Sequence, residues 1–381
     1  MEMIKKKILH VCTVGITART FLLPIFKKLR SEGYNVTFAC TDDDDARFVE
    51  SQGIPFFPVK ISRNISITDL AAIFKLYKFI IKNKFLLVNT HTAKAGFAGR
   101  TAAWLARVPV IIHTAHGLVV HKYLSSFKKS IYKLLERWIG KKTTAFIVVT
   151  DKVGDELIKT GIAKKNKIHR IYNGINLDDF SETDESAQME LREKFNIKND
   201  DIIIGTLSRL VPDKGLEDLI QAFALIHSSN PKTKLVIAGD GPLINKLVEL
   251  AEKLKIKDNV NFIGWQNNVP QTLALFDAFC LPTLREGFGY VFLEAQAAGV
   301  PVIATKIEPL TETMQDGESA ILVPTHSPEN LASAIQKIIT DDALKNQLIE
   351  NGLKNVKERF DQRNQLGEIV ELYRLLLNRK S

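Results

Sequence analysis

Glu286 and Glu294 frame a glycine turn at the start of a helix-like run, Glu286-Gly287-Phe288-Gly289-Tyr290-Val291-Phe292-Leu293-Glu294. A strand-like run, Asp277 to Leu281, leads into it through Pro282 and Thr283, and a helix-like run from Phe292 to Ala298 follows. A glycine-rich turn that opens a helix offers unpaired backbone N–H groups and the positive end of the helix dipole, a natural seat for an anion or a hydroxyl. At about 3.6 residues per turn, Glu294 is expected about two turns into the helix. A carboxylate at each end suits a ligand such as a sugar linked to a nucleoside.

The segment Thr206-Leu207-Ser208-Arg209-Leu210-Val211-Pro212-Asp213-Lys214-Gly215 ends another strand-like run. Arg209 and Lys214 there could neutralise a diphosphate without a metal. A solvated charged loop is the ordinary fate of such a pair, but the glutamates are expected on the same side of the same sheet. A second turn, Ala238-Gly239-Asp240-Gly241-Pro242, has Pro242 near a first helical position. Gly239 reads as a backbone requirement of the tight turn, and Gly241 is a candidate for the site lining.

In the first half, His91 follows one strand, and His113 and His116 follow the next. Histidines at adjacent strand ends can converge on a substrate, although a buried, hydrogen-bonded histidine is an equally good reading of each. His116, beside Gly117, is the best candidate to act. No carboxylate or cysteine lies at ligand spacing nearby, so zinc is not expected. The first loop, Thr13 to Arg19, has Gly15 alone and no G-x-G-x-x-G, which argues against a dinucleotide fingerprint. Gly15 still leaves room for a phosphate or sugar at the helix start. Asp42 to Asp45 invite a metal reading, but acidic residues before a helix cap it and favour its dipole.

Short apolar runs must position these residues. Ile8–Cys12, Val36–Cys40, Phe56–Val59, Leu86–Thr90, Val110–His113 and Ala145–Val149 read as strands, with helices between them. The alternation restarts at Ile202–Thr206 and continues through Leu235–Ala238, Val260–Ile263, Phe279–Leu281, Val302–Ala304 and Ala320–Val323. Such alternation implies parallel sheets with ligands at the carboxyl ends of the strands. At 381 residues the chain has the length of two domains. The acidic segment Asp178 to Lys194 reads as the connection between them, and Gln362 to Arg379 as a final amphipathic helix.

Composition narrows the class. No run of about 18 apolar residues occurs, so no transmembrane helix is expected. The basic start runs into a strand, not a cleavage site, and Cys12, Cys40 and Cys280 are isolated, so a reduced cytoplasmic protein is the expectation. Residues 1–180 carry 30 Lys and Arg against 14 Asp and Glu, and the remainder carries 22 against 29. The first half is therefore expected to meet something anionic. Residues 74–85 and 121–142 mix basic and apolar side chains, with seven Lys and Arg against one Glu in 122–142. Helices of this kind can rest on an anionic membrane, or bury an apolar face in their own domain. Nucleic acid is disfavoured, because no binding motif accompanies the basic clusters.

Together these residues resemble the family 4 glycosyltransferases of the GT-B fold, which are retaining and need no metal or other cofactor. The resemblance spans nearly the whole chain. It is carried by the glutamate pair with Glu294-Ala295-Gln296-Ala297-Ala298-Gly299-Val300-Pro301, by Arg209 with Lys214, and by Asn173-Gly174-Ile175-Asn176. It implies two doubly wound Rossmann-like α/β domains facing a cleft. Residues 1–175 would bind the acceptor and 176–359 the nucleotide sugar, with 360–381 crossing back to the first domain. Arg209 and Lys214 would hold the donor diphosphate, and Glu294 the ribose. Glu286, with Gly287, Phe288 and Gly289, would hold the sugar. His116 would sit near the anomeric centre, and Gly15 would open the first loop to the diphosphate. The donor implied is a UDP-sugar carrying a hexose or N-acetylhexosamine.

Two departures stand out. The family usually has paired glycines in the first loop, and often Gly-Gly where this chain has Glu308-Pro309. Within the family, the basic, aromatic first half and the segments Thr90 to Gly96 and His116-Gly117 resemble bacterial members that extend surface polysaccharides on a polyprenyl-diphosphate lipid. That implies a glycan acceptor on such a lipid and peripheral contact with the inner face of the cytoplasmic membrane. A GT-B epimerase, a phosphorylase and a non-catalytic sugar-nucleotide or lipid-binding protein are the alternatives.

Overall fold

In the computed structural model, residues 6–61, 68–117, 126–181 and 185–379 are described. The chain divides into two compact units, one formed by residues 1–172 with 363–381 and the other by 173–362. Among the described residues the first holds seven parallel strands: β1 (Lys7–Val11), β2 (Asn35–Cys40), β3 (Phe56–Pro58), β4 (Leu87–His91), β5 (Val110–Ala115), β6 (Ala145–Val148) and β7 (Ile168–Arg170). Their order is β3-β2-β1-β4-β5-β6-β7. The second holds β8 (Ile202–Leu207), β9 (Thr233–Ala238), β10 (Val260–Gly264), β11 (Ala278–Leu281), β12 (Val302–Thr305) and β13 (Ile321–Val323). There the order is β10-β9-β8-β11-β12-β13. Each sheet reverses its winding beside its first strand, at β1/β4 and at β8/β11. Such switch points leave a crevice beyond the strand ends, where ligands of open parallel sheets bind.

Strand alternation places the two cores of the first unit. Ile8 and Cys12 face one layer, with Phe26, Phe38 and Ile112, while Leu9 and Val11 face the other, with Val88, Leu76 and Ile111. The final helix, Gln362–Asn378, returns to the first layer and buries Ile369, Val370, Leu372, Tyr373, Leu376 and Leu377 there. His10 falls on the same face of β1 as Ile8 and Cys12, which sets it against Tyr373 with ring centroids 6.0 Å apart.

Three local readings change. β7 is an additional strand; its three residues, Ile168-His169-Arg170, are too few and too polar to give a pattern. The helix expected between the runs Ile8–Cys12 and Val36–Cys40 is broken into Gly15–Thr17, a π-type segment Ala18–Leu22, and Leu23–Ser31. Pro24 lacks the N–H that a continuous ladder would need at that point. The acidic segment after Asp178 is no bare linker. Helix Glu185–Lys194 lies inside the second unit, with Leu191, Phe195 and Ile197 against its core.

Candidate active site

In the second unit, the loops after β8 and β11 are bound to each other. Pro212–Lys214 forms one 3-10 turn, closed by Gly215 at φ +65°, which also caps helix Leu216–His227. A Cβ at Gly215 would stand 2.1 Å from the Pro282 carbonyl oxygen, so only glycine permits this approach. Leu284 N–H donates to Asp213 O at 2.8 Å, and Thr283 Oγ1 lies 3.0 Å from both Asp213 O and Arg285 O. The Thr305 hydroxyl donates to Thr283 O from β12. This lacing brings Lys214 Nζ onto Glu286 Oε1 as an ion pair whose side chains are only 14% and 13% exposed.

Gly241 also meets a backbone requirement. A Cβ there would lie 2.5 Å from Leu210 O, and Leu210 N–H donates to Asp240 O at 2.9 Å. The turn thus backs the loop that carries Arg209, whose side chain is exposed. Gly289, at φ +90°, caps helix Tyr290–Ala297, two residues earlier than the apolar run suggests. Glu294 is therefore the fifth helical residue, just past the first turn and not two turns in. It is half-buried, and dehydration of its carboxyl raises its pKa from 4.5 to about 7. Burial, with the Glu294 charge, pushes the Tyr290 phenol up as well. Phe288 is buried and packs edge-on against Tyr290 and Phe360, which fixes the turn, while Gly287 is exposed. Leu310, next to Pro309, would strike a side chain at Gly289. The Glu308-Pro309 substitution therefore borders the same turn.

In the first unit, His91 and His116 do meet, and a third histidine joins them. His91 Nδ1 is 3.1 Å from His116 Nε2, and His91 Nε2 is 3.0 Å from His10 Nδ1. His10 Nε2 is 3.5 Å from the Tyr373 hydroxyl, which accepts from Asn89 Nδ2 at 2.7 Å. Burial holds His10 down at about 3 and His116 at about 4, and it lowers His91 well below the ordinary imidazole range with help from neighbouring imidazoles. All three are neutral near pH 7. His113 stands apart: it is buried against Gly96 and bonded to Thr90 Oγ1 at 2.9 Å. Thr92, directly after His91, is β-branched yet has φ +62°, a strained geometry of the sort found at functional loops. Its hydroxyl bonds Thr13 at 2.6 Å across the switch point.

Neither His10 nor Tyr373 was selected from sequence. The available signal was a histidine in the middle of a strand buried on both faces, where apolar residues are the rule. Gly15 has a structural cause of its own. Its N–H donates to Asp43 Oδ2 at 2.9 Å, and a Cβ would lie 1.9 Å from Asp43 Oδ1. Asp43 caps the next helix by accepting from Ala46 N–H, while Asp42 and Asp45 pair with Arg47 and Arg19. The aspartate run thus serves as cap and surface pairs.

With this geometry in place, comparison with known proteins is decisive for the class. Residues 19–179 match Glycosyltransferase Family 4, and residues 187–355 match Glycosyl transferases group 1. The chain belongs to these glycosyltransferases, enzymes that move a sugar from a nucleotide sugar to an acceptor. It is 29% identical over 377 residues, 97% of each chain, to a UDP-Gal:alpha-D-GlcNAc-diphosphoundecaprenol alpha-1,3-galactosyltransferase of Escherichia coli. It is likewise 29% identical, over 98% of each chain, to the capsular polysaccharide biosynthesis glycosyltransferase CapM of Staphylococcus aureus. Among solved structures, Anabaena Alr3699/HepE in complex with UDP and glucose matches with a TM-score of 0.84 at 22% identity, over 97% of this chain and all of that one. The fold is the GT-B arrangement of two parallel-sheet α/β domains.

Proposed function

We propose that this glycosyltransferase uses a UDP-sugar, retains the anomeric configuration without a metal, and extends a polyprenyl-diphosphate-linked glycan at a membrane surface. The carrying observation is the outer face of helix Ser126–Lys142. Ile131, Leu134, Leu135 and Trp138, spaced as one helical stripe, are 40%, 67%, 36% and 39% exposed, beside Lys133, Arg137, Lys141 and Lys142. The helix buries Tyr132, Glu136 and Ile139 on its inner face and carries a second apolar stripe on its outer one, more than ordinary packing of an amphipathic helix leaves exposed. Helix Thr68–Asn83 adds exposed Leu70, Phe74 and Ile81, with Lys78 over the Phe74 ring at 4.4 Å. Such a face fits anionic headgroups and an isoprenoid chain. Segment 118–125, part of the basic stretch read from sequence, lies outside the described residues. Among the described residues no helix is long and apolar enough to span a bilayer.

Departure of the nucleoside diphosphate develops negative charge on its β-phosphate. Arg209 and Lys214 are the groups that would stabilise it, in the manner of an oxyanion site. Glu286 and the backbone of Gly287, Phe288 and Gly289 would hold the sugar, and Glu294 the ribose. Gly241 supports the Arg209 loop, and Gly15 holds the first loop against Asp43. His116 contacts the substrate during transfer. Retention follows front-face attack, with the leaving phosphate taking the acceptor proton, so no carboxylate nucleophile is needed. The test is a panel of UDP-sugars offered to a polyprenyl-diphosphate-linked acceptor in EDTA, with NMR of the product. An α-linked product at an unchanged rate is expected. A β-linked product or complete loss of turnover in EDTA would overturn the reading.

A further inference from the structure

We propose that His91 and His10 are positioning residues that fix the tautomer of His116, so that His116 presents an Nδ1–H donor to a substrate oxygen, an inference that rests on the reading of His116 as a substrate-contacting residue. The hydrogen-bond row begins at the buried end. Asn89 Nδ2 donates to the Tyr373 oxygen at 2.7 Å, and Tyr373 is fully buried. A buried hydroxyl needs an acceptor for its own proton. His10 Nε2, 3.5 Å away, is in place to take it.

From there the polarity propagates. A neutral imidazole has one donor and one acceptor nitrogen, so what one nitrogen does dictates the other. His10 accepts at Nε2 and therefore carries its proton on Nδ1, which faces His91 Nε2 at 3.0 Å. His91 accepts there and carries its proton on Nδ1, which faces His116 Nε2 at 3.1 Å. His116 accepts at Nε2, and its proton must sit on Nδ1. The rings lie nearly coplanar and edge to edge, with centroids 5.3 Å and 5.4 Å apart and planes 11° and 28° from parallel, so that the in-plane lone pair of one nitrogen meets the N–H of the next. Burial supports the neutral state on which this logic depends. A neutral N–H donor recognises hydroxyl or phosphoryl oxygen and does not compete for the acceptor's proton.

An isolated neutral histidine favours the Nε2–H form, so three Nδ1–H histidines in a row are a distinctive signature. Ring nitrogen NMR of the full chain, labelled with 15N-histidine at pH 7.5, reads it directly. His10, His91 and His116 are each expected to be protonated at Nδ1 and bare at Nε2. In Tyr373→Phe the buried donor is gone, and the His116 signals are expected to move toward a mixture of tautomers. In His91→Phe, which keeps a ring in the row but removes both nitrogens, kcat with a UDP-sugar is expected to fall by about tenfold or more, the scale of a lost orienting partner, with KM for the donor little changed. An Nε2–H signal from His116 in the unmodified protein would overturn the assignment. So would an unchanged kcat in folded His91→Phe, or His116 signals indifferent to Tyr373→Phe. If no nucleotide sugar were turned over at all, the functional reading would fall while the ring spectra still decided the tautomer.

Discussion

Lys214 and Glu286, 72 positions apart in sequence, are paired because two loops beside a switch point are joined at Asp213 O, which accepts from Leu284 N–H and lies 3.0 Å from the Thr283 hydroxyl. Each side chain neutralises the other, so an incoming diphosphate has to take Lys214 from Glu286. The two substitutions should therefore differ in direction. Lys214→Ala removes a charge-assisted contact worth about 2 kcal/mol, so UDP affinity by calorimetry should drop on the order of 30-fold. Glu286→Gln releases Lys214, so UDP itself should bind at least as well while sugar transfer falls. Equal loss of UDP affinity in both variants would refute this division of roles.

Glu294 gives a pH dependence on both stability and binding. Its folded pKa, about 7, lies above its ordinary 4.5, so the folded state binds more protons between those values. The stability it contributes is present below pH 4.5 and is lost as pH rises through 7. Ribose binding runs the other way, because the ionised carboxylate accepts from both hydroxyls. UDP affinity should rise from pH 6 to pH 8, and Glu294→Gln should flatten that rise. A wild-type affinity constant across this range would remove Glu294 from the ribose site.

The histidine row predicts acid sensitivity. His10 is held at about 3 against an ordinary 6.5, faced by His91, Tyr373 and Phe26. Below pH 6.5 the unfolded chain takes up protons that the folded row refuses, so the stability present above pH 6.5 is lost as pH falls toward 3. Thermal melts should show the midpoint dropping over that window, with a shallower drop in His10→Phe.

Arg100 and Glu136 hold helices Ala93–Leu105 and Ser126–Lys142 together from inside. Arg100 Nη2 donates to both Glu136 oxygens, at 2.9 and 2.7 Å, and the side chains are 0% and 2% exposed. Glu136→Ala leaves a buried cation without its partner and should cost about 3–5 kcal/mol in urea unfolding. This pair shares the inner face of helix Ser126–Lys142 with buried Tyr132 and Ile139, and together they set Leu134 and Trp138 outward.

That orientation makes the membrane reading testable. The chain should float with anionic vesicles at low salt and less with neutral ones, and Leu134→Ser with Trp138→Ser should release it without lowering UDP affinity. Equal flotation with both vesicle types would count against docking through this face.

Much of this was legible in the sequence. Twelve of the thirteen strands among the described residues show as short apolar runs, because strands of covered parallel sheets are nearly continuous in Val, Ile and Leu. The Glu286 turn shows because Gly289, at φ +90° against Leu310, marks a backbone that a side chain would strain. What stayed hidden depends on distant partners. His10 and Tyr373 lie 363 positions apart, and nothing local announces that a final helix will bring them together. The outward stripe of helix Ser126–Lys142 was equally hidden, since periodicity finds an apolar face but not the side on which a buried ion pair will hold it.

The claim that the second unit binds the donor through Arg209, Lys214, Glu286 and Glu294 is tested most directly by thermal stabilisation. A UDP-sugar should raise the melting temperature of the unmodified chain by linkage. Arg209→Ala, which removes a charge-assisted contact worth about 2 kcal/mol, and Glu294→Ala should each shrink that shift sharply. Full retention of the shift in both variants would contradict the account.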